Sequence, residues 1–159
     1  MITDTHTHLY SEQFDEDRSL MMQRAFDAGV KRFFIPAIDS SYNDRMFDLE
    51  KNYPDHVYLM MGLHPTSVQS NYKEELEKVR HYIDQRDFYA IGEIGIDLYW
   101  DQTYMKEQQD AFRTQIHWAK EKGWPIVIHC RDSFDEIFEN MLFSGYFQLF
   151  PFVFVSLCV

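Results

Sequence analysis

Basic residues are scarce in this chain, with 15 Lys and Arg against 26 Asp and Glu, a formal net charge of −11. A module that grips nucleic acid with a broad basic surface needs clustered cations, so that class is disfavoured. A metal site supplies positive charge that side-chain counting omits, so the balance weighs less against a metalloenzyme. Glycine and proline are also few, 6 and 5, which excludes collagen-like, linker-like and low-complexity readings. The two cysteines, Cys130 and Cys158, form no metal or redox spacing, and a reducing compartment is the simplest reading. The opening Met-Ile-Thr-Asp-Thr-His lacks a basic n-region and an apolar h-region, so no secretory signal and a cytoplasmic location are expected. No apolar run reads as a membrane span: even the uncharged stretch Phe143 to Val159 is interrupted by Ser144, Gly145 and Pro151.

What is present suits a globular domain: 159 residues, 45% hydrophobic and 17% aromatic, are enough to bury a real core. Short apolar or β-branched runs at Met1 to Thr7, Lys31 to Ala37, Val57 to Gly62, Tyr89 to Glu93 and Pro125 to His129 read as buried parallel strands. Amphipathic stretches lie between them: Asp15 to Ala28, Ser40 to Asn52, Lys73 to Arg86, Met105 to Lys122, and a fifth from near Ser133. Gly29 and Gly123 are placed as helix stops, and Ser40 and Asp132 as N-caps. Strand starts recur about every 31 residues, so eight units would occupy about 250, the size of a TIM-type (β/α)8 barrel. The expected fold is therefore α/β, the N-terminal part of such a barrel, with about five β/α units present. An open doubly wound sheet is the alternative, but its Gly-rich first turn is replaced here by a His-rich one.

The expected division is a partial barrel over 1–142 and a divergent apolar tail over 143–159, since no charged residue follows Asn140. Truncation or a frame disruption is the reading preferred for that tail. Phe150 to Val159 would be an aggregation-prone segment if exposed.

Residues with ligand chemistry recur at predicted strand ends. In Asp4-Thr5-His6-Thr7-His8, residues two apart in extended chain project to one side, so His6 and His8 can share an ion; the bland alternative is two polar residues closing a strand. In Gly92-Glu93-Ile94-Gly95-Ile96-Asp97, Glu93 follows an apolar strand between glycines that allow close backbone approach, though a solvated loop acid would look similar. Pro125 to Arg131 ends an apolar strand in His129, with Arg131 able to present its fork to an anion or to pair with Asp132 or Asp135. Gly62-Leu63-His64-Pro65 ends the third strand likewise, where His64 can orient a substrate or cap the loop. His56, His81 and His117 read as surface residues.

Together these motifs resemble, in order and rough spacing, those of TatD-type deoxyribonucleases, over Met1 to about Asn140. Gln108 to Gln115, with Phe112 between them, also resembles the family's helix before the His129 strand. The resemblance implies an amidohydrolase-like barrel, two divalent metal ions (Zn, Mn, Fe or Mg) and hydrolysis of DNA phosphodiester bonds. By position, His6 and His8 would bind one ion, Glu93 would bridge both and act catalytically, and His129 would bind the second. His64 and Arg131 would stand near the substrate phosphate. Two family features are not matched: a further His before a Phe-Ser-Gly-like stretch, where Phe143-Ser144-Gly145 has none, and a late Asp. This chain alone is therefore expected to be weakly active or inactive. The alternatives are a non-catalytic fragment that at most binds metal, or an amidohydrolase acting on another ester or amide. DNA is the expected substrate partner; no membrane and no obligate protein partner are indicated.

Overall fold

The computed structural model describes residues 1–145 and, as backbone only, 153–157. Among the described residues the order is β1 (Ile2–Asp4), α1 (Arg18–Asp27), β2 (Val30–Ile35), α2 (Asn43–Asn52), β3 (Val57–Leu59), α3 (Tyr72–Gln85), β4 (Ile91–Asp97), α4 (Met105–Lys122), β5 (Ile126–Arg131), α5 (Phe134–Ser144) and β6 (Val153–Leu157). All ladders are parallel: β1-β2-β3 form one sheet, β4-β5-β6 another, and a parallel bridge from Met61 to Ile91 joins them. The strands thus lie side by side in chain order, with helices as crossovers, which is how a TIM-type barrel is wound. The α/β expectation and its partial-barrel form hold.

Alternation along the strands sorts the core into two faces. On the helix side Ile94, Ile96, Ile126 and Ile128 pack with Phe112, Ile116 and Ala119 of α4, all essentially without solvent contact. On the opposite face Met60, Ala90 and Val127 cluster with partly buried Phe34. His129 shares that second face with Val127, two residues before it, at the C-terminal end of β5.

Several boundaries differ from expectation. Strand β1 ends at Asp4, so His6 and His8 occupy the following loop and their convergence does not come from strand alternation. Strand β4 runs to Asp97 and contains Glu93, which is therefore not a loop acid just beyond a strand. The extension is possible because β4 and β5 approach unusually closely. A Cβ on Gly95 would lie 2.0 Å from the His129 carbonyl oxygen, and one on Gly92 would lie 2.8 Å from the Val127 Cβ. The Gly92–Glu93 peptide, which is cis, falls where the β4–β5 register shifts.

The N-caps also move. Asp39, not Ser40, caps the second helical segment by accepting from the Ser41 amide at 3.0 Å, while the Ser40 hydroxyl donates to Glu75 Oε1 at 3.0 Å. Asp132 has φ 51 and Ser133 takes the cap position, its hydroxyl donating to the Ile96 carbonyl at 2.6 Å instead of to the helix. Gly29 and Gly123 do stand at helix ends with positive φ. The side chains of Phe150 to Val159, on which the aggregation expectation falls, lie outside the described residues. No helix among the described residues is long and apolar enough to cross a membrane.

Candidate metal centre

The centre is built around one carboxylate. Glu93, 2% exposed, meets imidazole nitrogens at both of its oxygens. Oε2 lies 3.0 Å from His6 Nε2, 3.5 Å from His8 Nε2 and 3.7 Å from His64 Nε2, and Oε1 lies 3.1 Å from His129 Nδ1. His6 and His8 follow β1, His64 follows β3, Glu93 lies within β4 and His129 within β5, and the parallel order brings all of them together on one side of the sheet. Two ligand-type triads result, His6/His8/Glu93 and His64/Glu93/His129, each with donor atoms within 4.8 Å of one another.

Hydrogen bonds behind the imidazoles decide which nitrogen each presents. The Tyr10 hydroxyl donates to the Pro36 carbonyl at 2.8 Å and so is left to accept from His8 Nδ1–H at 2.8 Å, which leaves the His8 Nε2 lone pair facing Glu93. The loop carrying Tyr10 is held by Arg18, which donates to the Leu9 and Ser11 carbonyls at 2.8 and 2.9 Å, and by Arg45, which donates to the Tyr10 carbonyl at 2.8 Å. Both arginines also pair with Asp15.

His64 is set the other way. Its Nδ1 accepts from the Thr66 amide, 3.2 Å away, so its proton resides on Nε2, which lies 3.1 Å from His129 Nδ1 and 3.7 Å from Glu93 Oε2. Burial pushes its pKa down to about 4, against the attraction of Glu93, so it is neutral at neutral pH. A ring with its inward nitrogen protonated is a donor and not a cation ligand. Although its atoms fall within a ligand-type triad, the hydrogen bonding directs its Nε2–H toward His129 and the Glu93 side of the centre.

Asp97 supports His129. Buried at 1% exposure, it accepts from His129 Nε2–H at 2.7 Å through Oδ2, while Oδ1 accepts from the Tyr99 and Trp100 amides at 3.1 and 3.3 Å. Nδ1 is thereby the nitrogen turned toward Glu93 and His64. Burial works against the charge on His129, yet its bonds to Glu93 and Asp97 raise its pKa above the ordinary imidazole value. Burial likewise opposes ionisation of Glu93, but the closely placed imidazoles of His129, His6 and His8 and the nearby His64 hold its carboxyl far below the usual range. The donor set is thus an ionised carboxylate with three inward imidazole nitrogens, His6, His8 and His129, chemistry that fits divalent cations.

Helix α4 fixes the backbone under two of these groups. The Gln115 amide accepts from Leu63 N at 2.7 Å and donates to Leu63 O at 3.2 Å, next to His64. Gln108 does the same to Asp97, at 2.8 and 3.2 Å. Sequence reading noted both glutamines but gave them no task; polar residues seven apart on the buried face of an amphipathic helix were the available signal. Replacing Gln115 with Leu leaves two buried backbone groups unpaired. This is expected to cost about 2–4 kcal/mol, read as a lowered urea midpoint.

Arg131 stands apart from the carboxylate. Its guanidinium lies 3.8 Å from the Tyr99 ring centroid and 5.2 Å from that of Trp100, and among the described residues it makes no ion pair with Asp132 or Asp135. His56, His81 and His117 are away from the centre, as read: His56 bonds to the Lys31 carbonyl, His81 to Gln85, and His117 is exposed on α4.

A chain of parallel β/α units with a histidine–carboxylate cluster at the C-terminal strand ends has the architecture of a barrel-type, metal-site protein. The comparisons define it further. Residues 3–148 match the family described as TatD related DNase, and the chain belongs to that family. It is 34% identical over 137 residues to the uncharacterized metal-dependent hydrolase YabD of Bacillus subtilis, covering 86% of this chain and 53% of that protein. It is 31% identical over 130 residues to the 3'-5' ssDNA/RNA exonuclease TatD of Pectobacterium carotovorum, covering 82% of this chain and 50% of the relative. The crystal structure of the TatD homologue YjjV from Escherichia coli superimposes with a TM-score of 0.83 at 29% identity, over 92% of this chain and 57% of that one. The chain spans about half the length of the curated relatives it matches.

Proposed function

We propose that this chain carries the ligand cluster of a metal-dependent phosphodiesterase acting on DNA, in single-stranded form. The observation that carries the reading is the buried, ionised Glu93 with imidazoles from three other strand ends at its two oxygens. His6 and His8 would hold one divalent cation with Glu93, and Glu93 and His129 a second. Zn, Mn or Fe suit these nitrogen donors better than Mg. Bound there, such cations activate water and polarise a phosphoryl oxygen. The residues supply the rest. Glu93 stays anionic between the two sides, Tyr10 and Asp97 fix the His8 and His129 tautomers, and His64 offers an Nε2–H to a non-bridging phosphate oxygen. The preference for single strands is supported by the relative from Pectobacterium, which is named a 3'-5' ssDNA/RNA exonuclease.

The test is a titration of metal-free protein with Zn or Mn, followed by hydrolysis assays on bis(4-nitrophenyl) phosphate and a single-stranded oligonucleotide. Metal-dependent cleavage of both supports the reading. Cleavage of a carbonyl ester or amide with neither phosphodiester touched would transfer the site to amidohydrolase chemistry, and metal uptake without any hydrolysis would reduce it to a binding site. Within the same reading, Asp97→Asn is expected to weaken Zn affinity about 10- to 100-fold in a chelator competition, because His129 loses the acceptor that orients it.

A further inference from the structure

We propose that Tyr99 and Trp100, together with Arg131, form a nucleobase-stacking subsite beside the metal centre. The inference rests on the phosphodiesterase reading and adds how a nucleic acid would be held. Most large apolar side chains of the strands and loops near the site are buried, but Tyr99 is 53% and Trp100 69% exposed. The two rings meet edge to face, with centroids 4.8 Å apart, and the Arg131 guanidinium covers Tyr99 at 3.8 Å. The same guanidinium lies 5.2 Å from the Trp100 centroid, and the rest of that ring remains solvent-exposed. The turn is not a floppy one. Asp97 accepts from both of its amides, Gln102 Nε2 donates to the Leu98 carbonyl at 3.0 Å, and Thr103 N donates to Asp101 at 2.8 Å.

Its location follows from the same carboxylate. Glu93, His129, Asp97 and the Trp100 amide form one chain of contacts of 3.1, 2.7 and 3.3 Å. The open ring is therefore anchored one side chain away from a candidate ligand. A crevice lined by Pro65, Thr66, Trp100 and Tyr104 continues from it toward the His64 loop.

Charge explains why stacking is the interaction required. At a net charge of −11 the protein repels a polyanion, and a salt-dependent basic groove of the kind that tracks phosphates is not what this composition provides. Cations at the centre can hold the one phosphate being cleaved. A neighbouring nucleotide needs a contact that does not depend on a positive surface, and an aromatic face with an Arg edge provides it for any base.

The test is fluorescence anisotropy on the whole chain with a labelled oligothymidylate of about six nucleotides, beside an oligomer of equal length with abasic tetrahydrofuran residues. The wild type is expected to bind the base-bearing oligomer about tenfold tighter. Trp100→Ala should abolish that preference without weakening abasic binding, and Trp100→Phe should keep most of it, with circular dichroism confirming the fold. Equal binding of the two oligomers by the wild type, or a Trp100→Ala loss shared by both, overturns the subsite. Failure of the phosphodiesterase reading looks different: no metal-dependent cleavage of bis(4-nitrophenyl) phosphate, whichever oligomer is preferred.

Discussion

Glu93→Gln is expected to lower Zn or Mn affinity more than about 100-fold and, in a version extended to the full length of the relatives, phosphodiester hydrolysis by at least as much, since loss of a shared ligand should exceed the effect of losing a supporting one. The substitution conserves volume but turns one acceptor oxygen into an NH2 donor and removes the charge on which four imidazoles converge. His64→Ala removes a donor and no ligand, and should cost about tenfold in rate. The metal-free proteins should differ in acid. Glu93 has a folded-state pKa depressed below its unfolded value, so its contribution is fully present above the unfolded pKa of about 4.3 and is lost as pH falls below it. The wild type should therefore lose more stability than the Gln variant between about pH 5 and pH 3, measured by urea unfolding. Unchanged metal affinity in the Gln variant would end the bridging role.

Gly95→Ala is expected to be the most damaging single methyl in the chain, with a loss of about 3–5 kcal/mol and a midpoint lower by about 10 °C. Two effects combine. Its φ of 151 is a backbone conformation that side-chain-bearing residues rarely adopt, and the added carbon would sit 2.0 Å from the His129 carbonyl oxygen. The obstacle is backbone, so no rotamer change relieves it. Strand β5 has to move away from β4, taking His129 from Glu93. Thermal unfolding measures the stability loss, and metal titration of the folded fraction measures the displacement; a variant as stable as the wild type would show that the strands separate freely here.

The alternation of β/α units was legible because each strand is a short apolar run and each long helix carries a clear buried face. The residues of the cluster were legible because histidine and glutamate near the ends of such runs have few structural uses. What escaped was the local backbone. Gly92-Glu93-Ile94-Gly95 reads as a loop from its glycines, yet those glycines are what let β4 continue tight against β5. His6 and His8 were paired by strand alternation, whereas they converge from a loop held by Arg18, Arg45 and Tyr10. Asp97 stood in its motif without a role, because only the fold shows that its two oxygens accept from His129 and from the Tyr99–Trp100 turn.

The two glutamines of α4 also act as a mechanical ruler. Seven residues apart, about two helical turns or 10 Å, they grip the chain beside His64 and at Asp97. A rigid slide of the helix along its axis displaces both grips equally and in the same direction. The spacing between the His64 side and the Asp97–His129 side is then preserved through breathing of the helix layer. Only bending or stretching of α4 between positions 108 and 115 can alter it, and that segment carries Ala111 and Phe112, both fully packed.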